Sequence, residues 1–286
     1  MRRVLALLVT LAVTLLVAPA QAAPSGISAT IVTPYGGQVR TVNVYVAGRV
    51  PKETPVPLLI VLHGLYLDPA SAEASSGLDK VADTQDVALA YPSGYQGAWN
   101  AGNCCGDAHA ARVDDVGFLV YLIHLVAQLR PIDLDRVYLA GFSNGGMMAL
   151  KALCDRPDVF AGAVSVAGSL QAPCQGLRPV NAMIIHGLRD TTVPYNGERM
   201  SKFLRVSVTP VRTTMGQLAA RSHCTAKHTS VAKRYIRSDY RGCTERTSVQ
   251  LLTVPRMGHR WPDLAHDGMD GGALTWTFLR AQKRLD

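Results

Sequence analysis

The sequence predicts an α/β fold, a mostly parallel central sheet with helices on both faces. Three observations carry that expectation. Short apolar runs of the buried-strand type recur at Pro57 to His63, Val87 to Pro92, Arg136 to Gly141, Ala161 to Gly168, Asn181 to Gly187 and Val249 to Pro255. Helical patterns separate most of them, notably "VDDVGFLVYLIHLVAQL" (113–129) and "NGGMMALKALCDRP" (144–157). A run that is apolar at every residue must be covered on both sides, so the alternation implies helices over both faces of a parallel sheet. Size agrees: of 286 residues, 264 remain after a 22-residue leader is set aside, enough for one large α/β domain. No internal repeat or Ser/Thr/Pro-rich linker breaks the chain, so residues 23–286 are expected to form a single domain.

The chain opens "MRRVLALLVTLAVTLLVAPAQAAPSG". Two arginines, an apolar run from Val4 to about Val17 and the small-x-small signature Ala20-Gln21-Ala22 predict a secretory signal peptide over residues 1–22. The alternative is an uncleaved membrane anchor. Pro19, the cleavage signature and the lack of a charged stop-transfer flank favour cleavage and secretion, without stable membrane insertion afterwards. Next, "ISATIVT" (27–33) and "TVNVYVA" (41–47) alternate in polarity around "PYGG", which predicts an N-terminal hairpin. A final helix is expected over about Gly272 to Arg284, after the last strand.

The formal net charge of +8 falls to +6 without Arg2 and Arg3. The basic residues are scattered and carry no nucleic-acid motif, so no nucleic-acid partner is expected. Six cysteines in an exported chain point to disulfides. Cys224 and Cys243 bracket 18 basic and polar residues that have no core of their own, and a bond between them is expected. The other four, Cys104, Cys105, Cys154 and Cys174, leave three complete pairings open. CxxC spacing is absent, so zinc is not expected.

"GFSNGGMM" (141–148) places Ser143 between glycines, after one strand and before a helix. A serine there is exposed on a sharp turn, and the helix N-terminus behind it favours developing negative charge. A hydroxyl needs a base, and the base needs a carboxylate to orient it. "HGLRDTTVPY" places Asp190 after a strand, and "VPRMGHRWPD" places His259 after the last strand. The order Ser, Asp, His is that of α/β-hydrolases, and all three candidates follow strands. His266 lies seven residues beyond His259 and is the competing base. His186 and His63, at strand ends, read as structural. The loop after His63 is expected to offer an oxyanion donor, the backbone N–H of Leu65 or its neighbour Tyr66, opposite the N–H of Asn144. Trp99 and Trp261 are candidate platforms for an acyl or aromatic group, with core or rim packing as the equal alternative. Asp114 and Asp115 read as an N-cap with a first-turn acid.

Together "LHG", "YPSGYQGAWNAGNCCG", "VDDVGFLVYLI", "GFSNGGMM", "ALCDRPDVFAGAVSVAG", "HGLRDTTVPYNG" and "GHRWP" resemble the secreted esterase family of polyhydroxybutyrate depolymerases and feruloyl and acetylxylan esterases. The similarity runs from about Pro57 to the C-terminus in the family's motif order. It implies an α/β-hydrolase fold and hydrolysis of carboxylic esters, small, oligomeric or polymeric, by Ser143, Asp190 and His259 through an acyl-enzyme and without a cofactor. Two departures fall at the expected pocket rim: Met257-Gly258 where the family often has two glycines, and "LYLD" after His63-Gly64. Both bear on substrate preference. The competing readings are an acyltransferase using the same acyl-enzyme and a catalytically silent binding protein on this fold.

Overall fold

A computed structural model describes residues 27–48 and 51–285, so the leader expected over residues 1–22 lies outside the described residues. The strands are β1 (Ile27–Tyr35), β2 (Gln38–Val46), β3 (Val56–Leu62), β4 (Ala88–Pro92), β5 (Ile132–Phe142), β6 (Gly162–Val166), β7 (Ala182–Gly187), β8 (Ala226–Val231), β9 (Ile236–Arg241) and β10 (Val249–Val254). They form one sheet in the order β1-β2-β4-β3-β5-β6-β7-β10-β9-β8. From β4 to β10 the neighbours run parallel, while the hairpin β1–β2 and the hairpin β8–β9 attach antiparallel at the two edges. The N-terminal hairpin turns at Gly36-Gly37, with Tyr35 opposite Gln38.

The continuous apolar runs are explained by two cores. Along β3, Leu58, Ile60 and Leu62 enter one core and Leu59 and Val61 the other. The first core is covered by α4 (Asp115–Ala127), α5 (Asn144–Asp155) and α6 (Val211–Arg221), through Phe118, Met147 and Met215 among others. The second is covered by α1 (Pro69–Ser76), α2 (Leu78–Ala82) and α7 (Gly271–Leu279), through Ala72, Leu78 and Trp276. A short helix, α3 (Gly106–Ala110), follows β4. Helix α7 ends at Leu279, earlier than its apolar pattern predicts; the chain beyond it is pinned by Tyr138 donating to Gln282 O at 2.8 Å and by Arg284 N donating to Asp135 O at 2.8 Å.

Asp114 caps α4 by accepting from Gly117 N at 2.9 Å. Asp115 does more than supply a first-turn acid. Its Oδ1 accepts from Arg40 on β2 at 2.6 Å and its Oδ2 from the Asn100 N–H at 2.7 Å, with both charged side chains buried. Arg40 also donates to Ser93 O at 2.9 Å and lies 4.7 Å from the Phe118 ring. Removing one partner of such a pair strands a buried charge and costs about 3–5 kcal/mol.

The stretch between Cys224 and Cys243, basic and polar in sequence, forms the hairpin β8–β9 and extends the sheet beyond β10. Every β8 residue is exposed, so neither strand has the apolar alternation that marks a half-buried strand. The ends of the hairpin are joined by the expected bond between Cys224 and Cys243, and the other cysteines pair as Cys104–Cys105 and Cys154–Cys174. Among the described residues no helix is long and apolar enough to cross a membrane. Replacing Cys224 and Cys243 together by serine should lower stability by roughly 3 kcal/mol, the chain entropy returned to the unfolded state by opening a loop of this length. Urea unfolding of the two proteins measures it, and an unchanged midpoint would contradict the role assigned to the bond.

Candidate active site

Ser143 occupies the turn between β5 and α5 with φ 54°, a backbone region that costs a non-glycine residue about 1–3 kcal/mol. Its surroundings hold it there. Ser143 N donates to Val166 O at 2.8 Å, and Ser143 O accepts from Met147 N at 2.9 Å. The glycines around it are required by close approach. A Cβ on Gly141 would strike the Gly145 backbone, one on Gly145 would strike the carbonyls of Leu62 and His63, and one on Gly168 would lie 2.6 Å from Ser143 O. The start of α5 is thereby pressed against the exit of β3.

Asp190 and His259 come from neighbouring parallel strands, β7 and β10. Gly187 allows their loops to meet: a Cβ there would collide with Met257 O, and Arg189 N donates to that carbonyl at 3.0 Å. His259 Nδ1 then lies 2.8 Å from Asp190 Oδ2, and its Nε2 lies 3.0 Å from Ser143 Oγ. The carboxylate is buried, and its Oδ1 accepts from Thr192 N at 2.9 Å and Val193 N at 2.8 Å. Because the carboxylate accepts at Nδ1, the imidazole carries its proton there and leaves Nε2 as an acceptor facing the hydroxyl. The His259 ring packs 4.8 Å from Phe142, and its loop is braced by the Arg260–Asp267 ion pair.

Burial pushes the Asp190 carboxyl up, but hydrogen bonds from His186 and His259, the His259 charge and the Val193 N–H outweigh it and hold the group well below the usual range. The contribution of His186 is a residue role that the sequence does not reveal. Its Nε2 lies 2.8 Å from Val193 O and 3.4 Å from Asp190 Oδ2, buried beneath the carboxylate. A histidine ending an apolar strand gives no pattern from which that contact could be read.

The loop after β3 turns through Gly64 and Leu65. Tyr66 N donates to Gly97 O at 2.7 Å and Leu67 N to Gly64 O at 3.2 Å. The Tyr66 N–H is therefore committed, which narrows the expected donor in this loop to Leu65. Asn144 opens α5, where the first N–H groups of a helix have no partner within the helix. His63 is fixed in one tautomer: Nε2 accepts from Gly94 N at 2.8 Å, so Nδ1 donates to Gly64 O at 2.7 Å. Burial lowers its pKa and keeps the ring neutral.

The other candidates lie elsewhere. His266 is exposed and bonded to Asp263. Of the two readings of the tryptophans, packing is the one the structure takes. Trp99 is fully buried against His63, and Trp261 is 6% exposed with its indole against the start of α7, where a Cβ on Gly271 would meet it. Both loops fold inward, and Trp99 also donates from its indole to His63 O at 3.0 Å. Among the described residues no three His, Cys, Asp or Glu side chains are arranged to hold a metal ion.

The fold matches solved hydrolases over most of its length. An acetyl xylan esterase from Aspergillus awamori superposes with a TM-score of 0.60 at 14% identity, covering 82% of this chain and 94% of that one. A feruloyl esterase module from Clostridium thermocellum, complexed with sinapinate, gives 0.58 at 12% identity, covering 90% of each chain. The chain has the α/β-hydrolase fold. The model of the prolyl oligopeptidase family matches residues 106–174 of this chain, the part that runs from α3 through the Ser143 turn to β6. In sequence it is similar to feruloyl esterase B of Piromyces equi, 28% identical over 78% of this chain and 42% of that protein. NocK of Nocardia uniformis subsp. tsuyamanensis, named as a candidate esterase, is 38% identical over 49% of this chain and 42% of its own length. Poly(3-hydroxyalkanoate) depolymerase C of Paucimonas lemoignei is 31% identical over 44% of this chain and 31% of its own. The chain thus spans less than half the length of these three relatives.

The depressed Asp190 carboxyl has a consequence for stability. Its folded pKa lies below the unfolded value of about 3.9, so it contributes stability in full above that value and loses it as pH falls through the folded one. Asp190→Asn removes the titration. In urea unfolding, the stability gap between wild type and Asp190→Asn should narrow steadily below about pH 4; a gap that stays constant there would mean the carboxylate is not stabilised by the fold.

Proposed function

We propose that this chain is a hydrolase that cleaves carboxylic esters through an acyl-enzyme. One observation carries the reading: the continuous hydrogen-bonded line from Asp190 through His259 to Ser143 Oγ, with 2.8 and 3.0 Å between successive groups. His259 takes the hydroxyl proton as Ser143 attacks the ester carbon, and Asp190 steadies the imidazolium that forms. The Leu65 and Asn144 N–H groups receive the oxyanion. The tetrahedral intermediate collapses, the alcohol leaves with the proton from His259, and water repeats the sequence to release the acid.

Esters with an apolar portion suit the loops around Ser143. Tyr66 and Leu67 after β3 and Leu188 before Asp190 are all exposed, although each is a residue type that favours burial. Leu67 lies over Gly64 beside Phe142, the ring against His259. The relatives named for feruloyl, acetylxylan and hydroxyalkanoate esters supply the classes of substrate to test. We propose export as well, through cleavage after the leader of residues 1–22, and three cysteine pairs suit that destination.

Ser143→Ala and His259→Ala should each lower kcat on a soluble p-nitrophenyl ester by at least ~10³-fold, whereas His266→Ala stays near wild type. Wild-type activity in Ser143→Ala, or the reverse order of the two histidine variants, would sink the assignment. Labelling by a fluorophosphonate, absent in Ser143→Ala, separates a working enzyme from a silent binding protein. Run in parallel on acyl esters, methyl ferulate, hydroxybutyrate oligomers and a prolyl peptide, the same assay should find esters cleaved and the peptide left intact.

Leu188→Asp places a charge on the apolar rim without touching the hydrogen-bonded line. It should raise KM for a butyrate ester by roughly tenfold, about 1.4 kcal/mol of binding, with kcat held. An unchanged KM would remove Leu188 from the substrate surface.

A further inference from the structure

Trp99 meets both segments assigned to the oxyanion site. Its backbone N–H donates to Asn144 Oδ1 at 2.8 Å, and Asn144 Nδ2 donates back to Trp99 O at 3.0 Å. The side chain of the residue that opens α5 is thus clamped on both of its polar atoms by one peptide backbone. The indole reaches the other segment: Trp99 Nε1 donates to His63 O at 3.0 Å, and the two rings lie 5.1 Å apart. Two residues after that carbonyl comes Leu65. All of these groups are buried, where a hydrogen bond is stronger and its loss is not made good by water.

We propose that Trp99 is a positioning residue that sets the separation of the Leu65 and Asn144 N–H groups, and that it acts on the transition state and not on substrate binding. The inference rests on the ester-hydrolysis reading above. An oxyanion site works because its donors are fixed where charge will develop, so a small displacement weakens the transition state far more than the ground state. The start of α5 already lies against the exit of β3, where Gly145 leaves no room for a Cβ beside the Leu62 and His63 carbonyls. That contact stops the segments from approaching closer. The bonds from Trp99 stop them from separating.

The anchor is itself held. Trp99 O also accepts from Ala101 N at 3.0 Å and Cys105 N at 3.1 Å, and the next residue, Asn100, is tied through its N–H to Asp115. Asn100 Nδ2 donates to Val113 O at 2.9 Å. The clamp is therefore fastened to the buried Arg40–Asp115 pair and not to a free loop.

Two variants test the clamp by different routes. Trp99→Phe keeps an aromatic ring and removes the indole N–H; Asn144→Ala keeps the backbone donor and removes the side chain that Trp99 grips. Each is assayed on a soluble ester, with competent sites counted by titration with a phosphonate. Inhibition by benzeneboronic acid, which forms a tetrahedral adduct on a nucleophilic serine, is measured alongside. The expected result is a fall in kcat of about tenfold or more, against ~10²-fold for outright loss of a donor, with KM within about twofold. Boronate affinity should fall in step with kcat.

Wild-type kcat and boronate affinity in either folded variant would overturn the proposal. So would a rise in KM with kcat unchanged, which would make Trp99 part of substrate binding. If Trp99→Phe does not fold, Asn144→Ala decides. Ser143→Ala keeps the two failures apart: wild-type activity there removes the ester reading itself, whereas an inactive Ser143→Ala beside unaffected clamp variants removes only the role of Trp99.

Discussion

The arrangement depends on one close approach, the start of α5 against the exit of β3. Gly145 makes it possible, since any side chain there would meet the Leu62 and His63 carbonyls. Ser143 is held at positive φ by the same packing, because the turn must reverse between β5 and α5 within a few residues while Gly141 folds against Gly145. Strain at a single residue persists only when its surroundings over-determine it. Here they do so from three sides: β6 through Val166 O, the helix through Met147 N, and β3 through the glycine contact.

The second half of the site follows the same rule with different chemistry. Asp190 and His259 leave adjacent parallel strands and meet because Gly187 admits Met257 O. Burial alone would raise the Asp190 carboxyl, and an uncharged acid could not stabilise an imidazolium. Hydrogen bonds from His186 and His259, the His259 charge and the Val193 N–H reverse that tendency. Geometry and charge state are thus set by the same contacts.

Much of this was legible in the sequence, for definite reasons. Uninterrupted apolar runs such as Val56–Leu62 signal burial on two faces, and the structure divides that run residue by residue between two cores. Glycines at positions 141 and 145 mark a turn that tolerates no side chain. What escaped lacks a local pattern. Hairpin β8–β9 is exposed throughout β8 and is built on the edge of β10, so its strand character comes from that pairing and not from an apolar pattern of its own. Trp99 and Trp261 left two readings open because composition gives a loop tryptophan no direction, and both turn inward. His186 is buried at a strand end, as the sequence suggests, but its contact with Asp190 depends on how the next loop folds back over it.

The inward turn of Trp99 changes how the site is understood. A ring lining the cleft would act on the substrate, and its effect would vary with the acyl group. A buried ring bonded to His63 O and, through its backbone, to Asn144 acts on the protein's own donors. Its influence would then be the same for every ester, because the oxyanion is common to all of them while the acyl group is not. On the proposed reading, substrate preference falls instead to the exposed residues Tyr66, Leu67 and Leu188, none of which bonds the hydrogen-bonded line directly. The two tasks are carried by separate layers of the molecule, a buried one that fixes the donors and an exposed one that meets the substrate, so the outer layer is free to vary without disturbing the inner.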